Sequence, residues 1–360
     1  MPDAGSPLNE RGAAMSRARA ALVADVGGTW TRFAIAMPHQ GNAPSLHALS
    51  QLPVAGYPSL LAAVRDYLRG LPSGLPAPNS AVFAVAGRVE GNRAAMTNHP
   101  WLIDGDECAA ALDLQQIALV NDFTAQALCV PHLRAAERIQ LGGRERRPAA
   151  QDTATYAVLG PGTGLGVSAL LCRDGREFAL ESEGGHAAFA PKTARQRALL
   201  EQLAQRYPRV SYERLLSGAG LCNLHWALSR LEGIEAPEDV QPEQVTERGR
   251  AGDPLCAAAL ELFCEVFGAL AGDLVLTFGS WQGVYLSGGL VPLLIDELQQ
   301  PAFRNAFENK GRFTDALREV PVHAVMHPQA GLLGAAALAL RRSAATVGAG
   351  GIERLAATPG

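Results

Sequence analysis

Two segments of one plan, one in each half of the chain, set the strongest limit on its fold. Leu22 to Ala36, LVADVGGTWTRFAIA, reads as a short apolar strand, a Gly-Gly turn and a second apolar strand. Tyr156 to Leu171, YAVLGPGTGLGVSALL, repeats that plan around Gly162-Thr163-Gly164. Apolar runs of this length favour strands, and a tight turn uses glycine to reach positive φ. Such a turn also presents backbone N–H groups with no side chain in the way, which an anionic phosphate can use. The repetition implies an internal duplication, with each half offering one hairpin to a nucleotide lying between them. Taken singly, either segment also reads as an ordinary hairpin. Neither is the G-x-x-x-x-G-K-[ST] loop, and neither runs from strand into helix as a dinucleotide fingerprint does.

Asp25 stands just before the first turn, Gly27-Gly28, and Thr29 just after it. A carboxylate there suits Mg2+ held through water, because hard cations take oxygen ligands. The 360 residues are enough for two domains. At 48% hydrophobic and 18% charged, the chain can bury substantial cores and is not disordered. A net charge of -4 and only 6% aromatic residues argue against nucleic acid as a partner. The cysteines, Cys108, Cys129, Cys172, Cys222, Cys256 and Cys264, are scattered without a C-x-x-C, so buried thiols in a reducing cytoplasm are expected. The longest apolar run, Cys256 to Phe278, is interrupted by Glu261, Glu265 and Asp273, which argues against a membrane span. Residues 1–19 read as a flexible leader, with Met15 as an alternative start, and 343–360 as a loose tail.

Between these ends, strands and helices alternate. Tyr57 to Arg69 has helical spacing, and Ala81 to Gly87 reads as a buried strand. Met96 to Trp101 is a polar loop in which Thr97-Asn98-His99 either contacts substrate or only joins two elements. Gln115 to Asp122 is a buried strand that runs straight into the helix FTAQALC. Further helices are expected over Gln196–Gln205, after Ser211–Leu221, over Cys256–Leu276 and over Gln329–Leu340. Gly283 to Pro292 reads as strand, Gly-Gly turn and helix. The pattern implies an α/β protein of two related domains.

Several polar residues fall where such folds do chemistry. Asp122 ends a buried strand, where open α/β sheets bind ligands, and is the candidate general base for transfer to an alcohol. Its alternative role is to cap the helix that follows. Asn121 beside it is either a hydroxyl ligand or a turn residue. Glu183 and His186 flank two glycines in E-G-G-H, which reads either as a set of acceptors for sugar hydroxyls or as a Gly-rich loop with a surface histidine; no further metal ligands lie nearby in sequence. Glu213 is another candidate acceptor, or a first-turn carboxylate behind a Ser211 cap. Gly288-Gly289 either lets a nucleotide lie on the backbone or simply turns the chain.

As a set, DVGGT, TNHPW, VNDFTAQA, GPGTGLGV, EGGHAAFAP, ERLLSGAGL, LSGGLVP and AGLLGAA resemble, in order, the bacterial ATP-dependent glucokinases of the sugar kinase, chaperone ATPase and actin superfamily. The resemblance covers about Ala20 to Arg342. It implies duplicated ribonuclease H-like sheets with flanking helices and a cleft between two domains. These would be a small α/β domain, 20–132, closed by a C-terminal helix at about 328–342, and a larger domain, 133–327. It further implies transfer of the γ-phosphoryl of ATP, with Mg2+, to the 6-hydroxyl of glucose, and a homodimer. Residue by residue, the first phosphate hairpin falls on Asp25, Gly27, Gly28 and Thr29, and the second on Gly162, Thr163 and Gly164. The base falls on Asp122, the sugar ligands on Asn121, Asp122, Glu183, His186 and Glu213, and the adenosine-side turn on Gly288 and Gly289. Trp30 departs from the smaller polar residue of close relatives. The zinc motif of repressor-type sugar kinases is absent, which argues against that branch, and with no helix-turn-helix pattern read before the first hairpin a DNA-binding regulator is not expected. Two alternatives remain at this level: a kinase for another hexose or an amino sugar, and a catalytically silent sugar or nucleotide sensor.

Overall fold

The structure is a computed structural model that describes residues 20–39, 44–97, 99–145, 153–235 and 239–355, with side chains described to residue 343. The leader, Asn98 and residues 356–360 lie outside the described residues. The chain divides into two compact units, Met1–Leu133 with Pro328–Gly360, and Arg134–His327.

In the first unit, β1 (Ala21–Val26), β2 (Trp30–Pro38) and β3 (Pro44–Pro53) are antiparallel neighbours. β4 (Ser80–Val85) lies parallel to β1. A small sheet follows, made of β5 (Val89–Glu90), β6 (Arg93–Ala95) and β7 (Leu102–Asp104). β8 (Gln116–Asn121) then joins the main sheet parallel to β4, giving the order β3-β2-β1-β4-β8.

Strand alternation divides the apolar residues of β1 between two cores, because successive side chains point to opposite faces. Leu22, Ala24 and Val26 pack with Phe33, Ile35, Phe83 and, from α1 (Leu60–Arg69), Leu60 and Val64. Ala21 and Val23 pack with Ala34, Val82 and Ala118 under Leu332, Ala335, Ala336 and Ala339 of the C-terminal helix. Alanines on both sides let that helix lie close to the sheet. The helix is Ala330–Leu355, longer than the sequence spacing predicts; what reads as a loose tail from residue 343 continues it. Ser343 Oγ donates to Ala339 O, and the alanines that follow favour helix. Likewise α1 starts at Leu60 rather than Tyr57, because Ser59 caps it by accepting from the Ala62 N–H at 3.3 Å. The remaining helices of this unit are α2 (Gly105–Leu112) and α3 (Asp122–Cys129).

In the second unit, β9 (Arg138–Gln140), β10 (Ala154–Pro161), β11 (Leu165–Arg173), β12 (Arg176–Leu180), β13 (Gly283–Leu286) and β14 (Val322–Val325) form one sheet of order β12-β11-β10-β13-β14-β9. β12, β11 and β10 are antiparallel; β13 and β14 continue parallel to β10. This is the strand order of the first sheet with β9 added at one edge. Around it stand α4 (Ala194–Arg206), α5 (Gly218–Glu232), α6 (Pro242–Arg250), α7 (Pro254–Phe278) and α8 (Pro301–Glu308). α7 is long and apolar enough to cross a membrane, but most of its apolar window is buried in this unit's core. Asp253 caps its start and Gly279, in the left-handed region, ends it. All six cysteines are free; Cys129, Cys256 and Cys264 are buried and the others partly so.

Candidate active site

The first glycine turn joins β1 to β2. Gly27 N–H donates to Trp30 O at 3.1 Å, closing the turn, and Val54 N–H donates to Thr29 O at 3.0 Å. Trp30 thus serves the turn through its carbonyl, while its side chain is 44% exposed. Asp25 pairs across the hairpin with Arg32, whose Nη1 donates to Oδ2 at 3.3 Å. Burial pushes the Asp25 carboxyl above the usual carboxylate range, and Arg32 pulls it back. Gly331, in the first turn of the C-terminal helix, lies so close that a Cβ there would come 3.2 Å from Asp25 Cγ. The positive end of that helix therefore faces the carboxylate.

The strand–ND–helix junction shows which of its two polar residues caps the helix. Asn121 is the cap, its Oδ1 accepting from the N–H groups of Phe123 at 2.9 Å and Thr124 at 3.3 Å. Its Nδ2 donates to Gly87 O at 3.2 Å. Asp122 is the first helical residue, partly buried, with Oδ1 accepting from Phe123 N–H at 2.9 Å. Capping is thus done by its neighbour. Most of the hydrogen-bonding capacity of Asn121 goes to holding the junction. In the TNHPW loop, the His99 ring meets Trp101 edge-on at 4.9 Å.

In the second unit the turn Gly162-Thr163-Gly164 joins β10 to β11. Gly162 N–H donates to Gly164 O at 2.8 Å, and Gly218 N–H donates to Gly162 O at 3.0 Å. The start of α5, capped by Ser217, therefore abuts the turn and adds the positive end of a helix to it. Behind the turn, the main chain of Ser287 crosses so closely that a Cβ at Gly160 would sit 1.4 Å from Ser287 O. Gly288 has φ +99 and faces Pro161 O, so that position needs glycine twice over. Gly289 N lies 3.9 Å from where a Cβ of Gly162 would be, which places the Gly288-Gly289 turn beside the Gly162 turn.

Glu183, His186 and Glu213 converge. Gly184–His186 is a single 3-10 turn with Glu183 at its start. His186 Nε2 lies 3.9 Å from Glu183 Oε2, and Nδ1 lies 3.8 Å from Glu213 Oε1. Glu213 sits in the short 3-10 turn Tyr212–Arg214, in which Ser211 makes no side-chain cap. Its Oε2 instead accepts from Leu165 N–H at 3.0 Å, at the end of the glycine turn. Glu213 is thus common to the acceptor cluster and to the Gly162 turn. No sequence signal marks Arg32 as a site residue, and Gly331 enters only as part of the AGLLGAA segment. Arg32 was legible only through the cross-strand register, and Gly331 only through long-range packing.

A family model named Glucokinase matches residues 22–342. The chain belongs to the glucokinase family. The glucokinase of Xanthomonas euvesicatoria pv. vesicatoria is 49% identical over 321 residues, covering 89% of this chain and 94% of its own length. A crystal structure of glucokinase from an Antarctic psychrotroph has a TM-score of 0.79 at 32% identity, covering 89% of this chain and 98% of its own. That of glucokinase from Balamuthia mandrillaris in complex with glucose shares the fold, with a TM-score of 0.71 at 20% identity over 93% of this chain and 99% of its own. As a glucokinase-family chain, the protein is an ATP-dependent hexose kinase with a mixed α/β fold.

Proposed function

We propose that the chain moves the γ-phosphoryl of ATP to the 6-hydroxyl of glucose, with Asp122 as general base. The observation that carries this reading is the convergence of Glu183, His186 and Glu213, with Glu213 also bonded to the turn at Gly162. Carboxylates and an imidazole that meet beside a glycine turn suit a polyhydroxylated acceptor next to a phosphate donor. In this reading those residues and Asn121 hold the sugar, Asn121 with the amide hydrogen not directed at Gly87. The turns Gly27-Gly28-Thr29 and Gly162-Thr163-Gly164 take the phosphates, and Gly288-Gly289 the adenosine side. Keeping water away from the bound sugar removes the competitor of its hydroxyl.

Asp122 takes the hydroxyl proton as the new P–O bond forms and the bond to the ADP oxygen breaks. Positioning supplies most of the rate, because phosphoryl transfer leaves the protein little covalent work. Among the described residues no group of three or more His, Cys, Asp or Glu is placed to cage a metal. Asp25 would hold Mg2+ through water, as suits a single carboxylate. When bound, Mg2+ neutralises charge on the transferred phosphate. We further read the protein as a cytoplasmic homodimer that opens glycolysis.

Asp122→Asn tests the reading. Glucose affinity should hold while kcat falls by about two orders of magnitude or more. Near-normal turnover would remove Asp122 from the mechanism.

A further inference from the structure

Lys310 is a buried cation for which the reaction above has no task. Its side chain is 3% exposed. Nζ donates to Ala269 O at 2.6 Å and to Asp273 Oδ1 at 2.5 Å, both on α7. Its stem fills a notch at Gly272, where a Cβ would come 2.5 Å from Lys310 Cε. From the other side, Lys192 Nζ approaches Asp273 Oδ2 at 3.2 Å. The Asp273 carboxylate therefore bridges two ammonium groups, one on the segment after α8 and one just before α4.

That second segment begins at the acceptor cluster. After His186 the chain runs antiparallel to the residues before Glu213. Tyr212 N–H donates to Ala187 O and Phe189 N–H to Val210 O, both at 3.0 Å, and Ala188 bridges Ser211. The Phe189 and Tyr212 rings meet edge-to-face at 5.8 Å. Tyr212 is also hydrogen-bonded to the backbone of Ala190 and feels the Asp273 charge. This short pair carries His186 on one arm and Glu213 on the other, and Lys192 anchors its far end. Only Lys310 is buried, while Asp273 and Lys192 stay partly exposed, so the cluster adds little net stability and fixing geometry is the better account of it.

We propose that Lys310, Asp273 and Lys192 are positioning residues, a charge clamp that ties the segment following His186 to α7 and so fixes where His186 meets the sugar. The clamp rests on the sugar-site reading given above. It also has a pH signature. Burial lowers the Lys310 ammonium to about 8, against the pull of Asp273 on α7 and with the push of Lys192. As pH rises through that value the clamp loses one cation, and the cluster is left on Lys192 alone.

The test compares glucose KM, ATP KM and kcat across a pH series. Lys192 is partly exposed, so Lys192→Met keeps the fold. It should raise glucose KM about tenfold while moving ATP KM and kcat by less than about threefold, and Lys192→Arg should restore most of the loss. Asp273→Asn should act in the same direction. In the wild type, glucose KM should climb above about pH 8, and Lys310→Met should abolish that climb. Should Lys310→Met fail to fold, the Lys192 pair still decides. The clamp is overturned if Lys192→Met and Asp273→Asn keep wild-type glucose KM, or if ATP KM and kcat change as much as glucose KM. Glu213→Ala is run beside them. If it weakens glucose binding and the clamp variants do not, the clamp alone fails. If it does not, the sugar-site reading fails and takes the clamp with it.

Discussion

The turn at Gly27-Gly28 is backed by charge, whereas the turn at Gly162-Thr163-Gly164 is backed by main chain. Behind the first stand the Asp25–Arg32 pair and the start of the C-terminal helix. Behind the second, Ser287 O, Pro161 O and Gly162 O are pressed into close contacts, with Glu213 as the one acidic brace. Both hairpins sit at the same place in sheets that share a five-strand order. One topology is thus secured in two ways. A charged backing responds to pH and to a bound cation; a backing of packed carbonyls does not move without breaking.

The largest expected effect tests the rigid turn. Gly160→Ala forces a Cβ into Ser287 O, a backbone atom that cannot swing aside. It should cost about 3 kcal/mol or more of stability, read from denaturant midpoints. Gly331→Ala meets only the movable Asp25 carboxylate, at 3.2 Å, and should cost less than about 1 kcal/mol. Equal losses in the two variants would dissolve the contrast between the turns.

Acid should separate the units next. His323 in β14 is 4% exposed, its Nδ1 has no hydrogen-bond partner, and burial lowers its pKa to about 4. With a folded pKa below the unfolded value near 6.5, the second unit should lose stability as pH falls between those values, by about 3 kcal/mol at full protonation. Asp25 has the opposite sign. Its raised pKa gives the first unit stability that is present in acid and lost as pH rises through the folded value. His323→Phe should flatten the acid slope of the second unit; an unchanged slope would clear His323.

Much of this was readable in advance, and the failures have physical causes. The hairpins declared themselves because a buried strand needs a continuous apolar run and a turn needs glycine. The Asn121-Asp122 junction was legible as polar residues at a strand end. Which of the two caps α3 was not, since a one-residue shift in helix start exchanges their roles. Arg32 became a partner of Asp25 only once the β1–β2 register was fixed. Nothing in the sequence marks Lys310 for burial; its place against Gly272 comes from long-range packing. The C-terminal helix was cut short because its later residues are small and carry little apolar periodicity, although alanine itself favours helix.

A smaller effect tests the acidic brace. Glu213 Oε2 holds Leu165 N–H while Oε1 faces His186. Glu213→Ala should raise the KM of both glucose and ATP, each by about tenfold, since it removes an acceptor and frees the end of the phosphate turn. Asp25→Asn should leave glucose KM alone and change only the ATP side. A Glu213→Ala variant defective for glucose alone would mean that the second turn needs no side-chain brace, and its rigidity would then be wholly backbone.

The smallest effect concerns Arg32. Its side chain is 41% exposed, so losing the pair in Arg32→Met should cost at most about 1 kcal/mol of stability. The consequence lies in Asp25, which Arg32 draws back toward the ordinary carboxylate range. Without the guanidinium, burial acts unopposed and the carboxyl holds its proton to higher pH. A protonated carboxyl is a poor partner for hydrated Mg2+, so ATP KM should rise more at low pH than at high pH, while glucose KM stays constant. The matching change at the second turn has no charge to remove from its backbone contacts. If Arg32→Met instead raised ATP KM equally at both pH values, Arg32 would be acting on the phosphates directly, and the first turn would be a cation site rather than a tuned carboxylate.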